Sequence, residues 1–324
     1  MTTHRTILLI VSIVLLAVGL GLSYSEWASG NQPWGQLLGD NFLFARSLPF
    51  TIGFGIVFGF WRATGWRWGT DVRAGAVRRF APGTVILHAL AAVSLIVLIA
   101  TGGWQYLKGL LDAESPIYMA TVYRIHYIAA SLLIFVTVAF VTDWLLRGER
   151  SLTLGKGQGV RGLRGLAHEL PKPLGSTLAY LLGLDMRRAA PPTEEFTYYE
   201  RAVSFPAWEV FIGLIIVTGV IKAMRYVYPI PGEVLYWVSA VHVGAGVLLA
   251  LKLLDHLRYV LAPSRWPLMA SMATGWISES YVKAFHAGWY ARLSSGETAP
   301  GSASVPSTSS SPTPVARSVG GGAS

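Results

Sequence analysis

The sequence has 324 residues, 52% of them hydrophobic and 13% charged, where an average soluble domain carries about 25% charged residues. That composition excludes an ordinary soluble globule. With no cysteine, the chain by itself forms no disulfide scaffold, thiolate zinc site, cysteine nucleophile or iron–sulfur cluster. The surplus of 26 Lys+Arg over 17 Asp+Glu, a net charge of +9, is read as membrane topology and contact with anionic lipid, not as nucleic-acid binding.

A spanning helix needs about 20 mainly apolar residues, because a rise of about 1.5 Å per residue must cross about 30 Å of hydrocarbon. Six stretches meet that length, near residues 6–24, 45–61, 84–104, 120–146, 208–226 and 234–261. The second is the weakest, interrupted by Pro49 and three glycines. The first has His4 and Arg5 ahead of a long apolar run without a crisp cleavage site, and is expected to be a retained helix, not a signal peptide. Twenty of the 26 basic residues fall on one side of these spans. The other side holds Arg46, Lys108, Arg124, Lys222 and Arg225, and Lys252 lies inside the last span. The positive-inside rule then places both termini in the cytoplasm of a multi-pass protein of the inner, cytoplasmic membrane.

The chain divides into an N-terminal transmembrane helix pair (1–62), a cytoplasmic linker (63–83), a core (84–266) with a cytoplasmic loop at 147–207, an interfacial helix (267–293) and a disordered tail (294–324). Residues 174–184 are too short to cross and are expected to lie in the interface. From Pro267 to about Leu293 one amphipathic interfacial helix is expected, with Glu279 and Lys283 as an i,i+4 pair. No internal repeat, nucleotide loop or zinc-protease helix is evident.

Ionisable groups inside spans are costly and usually functional, and four of the seven histidines fall there: His88, His126, His242 and His256. Any one of them alone can be an interhelical hydrogen-bonding group. Together they form a pattern. His242 and His256 are 14 residues apart, nearly four turns, so they share a helix face about 21 Å apart along the axis. Topology puts His126 at the outer depth of His242 and His88 at the inner depth of His256. Two imidazoles from different helices, with no further ligand at that depth, suit axial coordination of haem iron better than zinc or a dinuclear carboxylate centre. Arg124, Lys252 and Arg258 are the candidate partners of haem propionates, though each can also snorkel to lipid headgroups.

The segments VILHALAA, YRIHYIAAS and VHVGAGVLLALKLLDH, with LIVLIATGGWQ, FIGLIIVTGVI and GWISESYVKAFHAGWY, resemble the cytochrome b (gamma) subunit of respiratory formate dehydrogenases over about residues 80–292. That family is related to the di-haem cytochrome b of membrane nickel–iron hydrogenases. The resemblance implies an all-α integral membrane protein: a four-helix di-haem cytochrome b core bundle, here with two extra N-terminal transmembrane helices. It further implies two b-type haems, the outer held by His126 and His242 and the inner by His88 and His256. The partners it implies are an extracytoplasmic iron–sulfur subunit and a catalytic subunit, with quinone as exchangeable substrate near the inner haem. By position in EEFTYYERAVSFPAWE the quinone-site candidates are Thr197, Glu200 and Arg201, where the family tends to have amide or neutral polar residues and Lys. Thr197 and Glu200 also fit a plain helix cap. The chain is then an electron-transfer subunit and not a self-contained enzyme.

The competing readings are a transporter or proton channel that uses the intramembrane histidines, and a haem-free anchor. A b561-type or ferric-reductase-like cytochrome is disfavoured because those usually carry ligand pairs on two helices, whereas here one helix alone carries two.

Overall fold

The computed structural model describes residues 3–28, 41–65, 72–73, 75–111, 114, 116–147, 152, 154 and 159–295. Six helices in it are long and apolar enough to cross a membrane. They are α1 (Thr3–Ala28), α2 (Asn41–Gly65), α3 (Pro82–Leu111), α4 (Met119–Arg147), α7 (Phe205–Met224) and α8 (Gly232–Val260). Shorter helices α5 (Gly159–Glu169) and α6 (Lys172–Leu181) lie between α4 and α7. The chain is an all-α integral membrane bundle.

The glycines that weaken the second span as a helix former are its packing surfaces. A β-carbon at Gly53 would meet the Leu16 nitrogen of α1 at 3.0 Å, and one at Gly55 would meet Val138 of α4 at 2.9 Å. At Gly59 it would collide with the Ala139 carbonyl. Gly55 and Gly59 are one turn apart, the small-xxx-small spacing that lets membrane helices approach backbone to backbone. Pro49, inside α2, does not end the helix.

At one end of the bundle a buried ion pair ties α2 to the core. Arg62 Nη2 lies 3.2 Å from Asp143 Oδ2 on α4, with side-chain exposures of 5% and 10%. Arg147 Nε lies 2.6 Å from the other Asp143 oxygen, and its Nη2 donates to the Arg62 carbonyl at 2.9 Å. Arg62 Nη2 also donates to Thr84 Oγ1 at 2.9 Å, one turn before His88 on α3.

The linker and the expected interfacial helix differ from the sequence expectation. Residues 72–78 hold two strands, β1 (Val72–Arg73) and β2 (Ala76–Arg78), and the second pairs antiparallel with β3 (Trp276–Ser278) through Val77 and Ile277. The single helix expected at 267–293 is instead α9 (Trp266–Thr274), β3, α10 (Glu279–Phe285) and α11 (Ala287–Ser295). Gly275 ends α9 in the left-handed region at φ 82°, where a β-carbon would meet the Phe80 carbonyl at 2.6 Å, so only glycine fits that turn. Ser278 caps α10 by accepting from the Tyr281 N–H, and the expected Glu279–Lys283 pair is present at 2.8 Å. Val77, Leu268, Ile277, Tyr281, Val282 and Trp289 form the core of this cap, which closes one end of the bundle. The interfacial stretch expected at 174–184 is helical as α6 from Lys172, and helix α5 before it was not anticipated. Beyond the last turns of α11, the tail expected from 294 lies outside the described residues.

Candidate functional site

The four spanning histidines fall on three helices: His88 on α3, His126 on α4, and His242 and His256 on α8. His88 and His256 meet at the capped end, their ring centroids 6.4 Å apart with planes inclined at 56°. Two metal–nitrogen bonds of about 2 Å each, in line with two half-rings of about 1 Å, require roughly 6 Å between centroids, so the separation fits one metal ion held axially by both rings. Trp208 of α7 packs edge-on against His256 at 6.0 Å.

At the distal end His126 and His242 are near enough to act electrostatically on one another. Thr101 Oγ1 of α3 is 2.8 Å from His126 Nδ1, and Thr218 Oγ1 of α7 is 2.9 Å from His242 Nδ1. Each Thr is followed by a glycine. A β-carbon at Gly102 would stand 3.3 Å from His126 Cε1, and one at Gly219 3.2 Å from His242 Cε1. A short internal repetition is therefore present: a Thr-Gly seat on one helix, then its histidine 25 or 24 residues later on the next. The dipeptide is visible in LIATGGWQ and LIIVTGVI, but a lone Thr in an apolar helix reads as an ordinary small polar residue.

Sequence reasoning also passed over Lys222. It lies one turn beyond Thr218, on the same face of α7, and its ammonium acts electrostatically on both His126 and His242. Arg124, the outer cation expected from sequence, is two residues from His126; that offset turns its Cα–Cβ direction by about 200° around α4.

At the capped end Lys252 and Arg258 both bind Asp255, at 2.8 and 3.3 Å, and the Tyr199 hydroxyl donates to the same carboxylate at 3.2 Å. Lys252 Nζ also stands 5.7 Å from the Tyr199 ring and 5.9 Å from that of Trp208. The three quinone-site candidates occupy the start of the third core helix. The Thr197 N–H donates to Glu200 Oε2 at 2.8 Å and the Glu200 N–H to Thr197 Oγ1 at 3.1 Å, a capping box. Glu169 of α5 accepts from the next two N–H groups, of Tyr198 and Tyr199, at 3.0 and 2.7 Å, and burial pushes its carboxyl above the ordinary range. Arg201 is buried, and it lines a small recess together with Arg161, Glu194 and Tyr198. Through Glu200–Ser204 the helix is wound as a π-turn, in which the Phe205 N–H reaches the Glu200 carbonyl ahead of Pro206.

Under the cap lies His286, 1% exposed, with Nδ1 2.7 Å from the Glu194 carbonyl; burial holds its imidazole below the usual histidine value. Another histidine outside the spans, His168, lies on α5. Among the described residues no three His, Asp or Glu side chains cluster as a metal site, so two-imidazole ligation is the arrangement on offer.

Residues 79–275 match the family described as prokaryotic cytochrome b561. The chain belongs to that family. The match includes all four spanning histidines, and it corrects the expectation that a b561-type cytochrome was disfavoured. No curated protein and no solved structure matches the chain. As a prokaryotic cytochrome b561 the protein is a multi-pass membrane, haem-containing electron-transfer subunit, and the haem is of the b type.

Proposed function

We propose that the chain is the membrane-anchoring di-haem cytochrome b subunit of a respiratory oxidoreductase, akin to the gamma subunit of formate dehydrogenases. It passes electrons between an extracytoplasmic iron–sulfur and catalytic partner and the quinone pool of the inner membrane. The observation that carries this reading is the pairing of histidines at two depths, one pair already at a separation that suits a single iron. When bound, each b haem would supply one-electron redox chemistry.

The protein's own part is ligation, spacing and local charge. His126 and His242 hold one haem, His88 and His256 the other. Lys222 provides positive charge beside the distal pair, a role the sequence suggested for Arg124. Lys252 and Arg258 can serve the other haem only in competition with Asp255. Quinone is placed at the capped end beside His256. Because the polar atoms of Thr197 and Glu200 engage each other, the Tyr199, Lys252 and Asp255 group joins them and Arg201 as a source of hydrogen bonds and protons. Both termini, and with them the cap, are assigned to the cytoplasm on the distribution of basic residues.

A dithionite-reduced minus oxidised spectrum with a pyridine haemochrome count tests this on the wild-type chain and on His126→Ala and His256→Ala. The expected result is two haems per wild-type chain and one in each variant. A folded, haem-free wild-type preparation overturns the reading and returns the intramembrane histidines to a transport role.

A further inference from the structure

The hydrogen bonds at the distal pair have a direction that the distances determine. Each threonine hydroxyl has a single proton. Thr101 Oγ1 lies 2.6 Å from the Val97 carbonyl, and Thr218 Oγ1 lies 2.6 Å from the Leu214 carbonyl. A carbonyl only accepts, so each hydroxyl donates back along its own helix and turns a lone pair toward the imidazole. The facing Nδ1 then carries the ring proton, and in a neutral imidazole Nε2 keeps its lone pair. The reverse assignment sets two oxygen lone pairs against each other at 2.6 Å and protonates Nε2.

We infer that Thr101 and Thr218 are positioning residues that lock His126 and His242 in the Nδ1–H tautomer, leaving Nε2 as the metal-binding nitrogen of each. This rests on the bis-histidine haem reading for its consequence, though not for its geometry. The glycine after each threonine completes the seat by letting the ring lie close against the helix. A hydrogen bond accepted from Nδ1–H makes the imidazole a stronger electron donor, so it favours the oxidised iron. Among the described residues neither His88 nor His256 has such a partner, and the effect belongs to the distal haem alone.

The test uses the full-length chain with nitrogen-15 histidine and the variants Thr101→Val, Thr218→Val and their combination, with Thr101→Ser and Thr218→Ser as rescue. In a haem-free wild-type preparation the side-chain nitrogen spectrum is expected to show two rings in the Nδ1–H form that lose this bias in the double Val variant. In the haem-loaded protein each Val variant is expected to bind the distal haem roughly tenfold more weakly and to shift its midpoint potential upward. Ser variants restore both properties, and the capped-end haem stays as it was. A wild-type spectrum with Nε2–H rings, or a double variant whose distal haem keeps its affinity and potential, overturns the inference. A wild-type chain that binds no haem overturns only the haem reading, because the nitrogen spectrum still decides the tautomer.

Discussion

The distal and capped histidine pairs lie in one bundle but are held by different means. At the distal end each ring has a hydroxyl on Nδ1, a glycine beneath it and Lys222 nearby. At the capped end the rings of His88 and His256 face each other at 6.4 Å, flanked by Trp208 and an Asp255-centred ion cluster, and among the described residues neither ring is fixed by a hydrogen bond. A ligand whose orientation is set beforehand costs less to order on binding. The distal site is the pre-organised one, and the capped site draws its order from the structure around it.

The largest test of that contrast acts through the surroundings of the capped pair. Asp143→Asn removes the carboxylate shared by Arg62 and Arg147, and breaking a buried ion pair by removing one partner costs about 3–5 kcal/mol. Because Arg62 also holds Thr84, one turn from His88, the capped haem is expected to be lost first. Heating the detergent-solubilised variant while following both haem bands checks the order of loss, and distal loss first would break the comparison.

A smaller effect is expected at the distal seat. Gly219→Ala places a β-carbon 3.2 Å from His242 Cε1, so the ring must shift. Distal haem affinity should fall roughly tenfold, as for other disturbances just outside a metal's ligands. Gly213→Ala, on the same helix with open space around it, is the matched control and should leave haem titrations unchanged.

The smallest effect concerns pH and the cap. Burial holds His286 below its ordinary 6.5, so the unfolded segment takes up the proton first as the pH falls. The stability lent by the neutral ring is full above 6.5 and is lost as the pH drops from there toward the folded value. Glu169, raised above 4.5 by burial, acts in the opposite sense at lower pH, and Arg79, Arg265 and Glu200 surround the histidine with fixed charge. The protection factors of the amides over residues 276–290, taken relative to the slower intrinsic exchange at lower pH, should fall on acidification from about pH 7.5 to 6, by no more than about 1 kcal/mol of opening energy. His286→Asn keeps a donor for the Glu194 carbonyl and should flatten that dependence.

Hydropathy and helical spacing were enough to read the bundle from the sequence. The six spans lie where apolar length put them, and the 14-residue interval on α8 anticipated two levels of histidine. What stayed hidden depended on neighbours distant in sequence. An amphipathic pattern at 267–293 reads as one helix, because nothing local shows that Ile277 pairs with Val77 or that Gly275 must turn under Phe80. Thr101 and Thr218 looked like filler because their partners are on the next helix. Lys222 was counted only as a topological charge. Arg124 was favoured for its closeness to His126 in sequence, although two residues along a helix point nearly opposite ways.

The three-stranded sheet joins residues that flank the whole family-matched segment: β2 precedes α3 and β3 follows α8, with almost the entire cytochrome core between them. During synthesis β3 emerges only after His88, His126, His242 and His256 have all been made. The sheet is thus a long-range closure that cannot nucleate early, and the roof over the capped pair is the last element of the core to form. Biogenesis therefore passes through a stage in which all four ligands are in place while that end of the bundle still stands open.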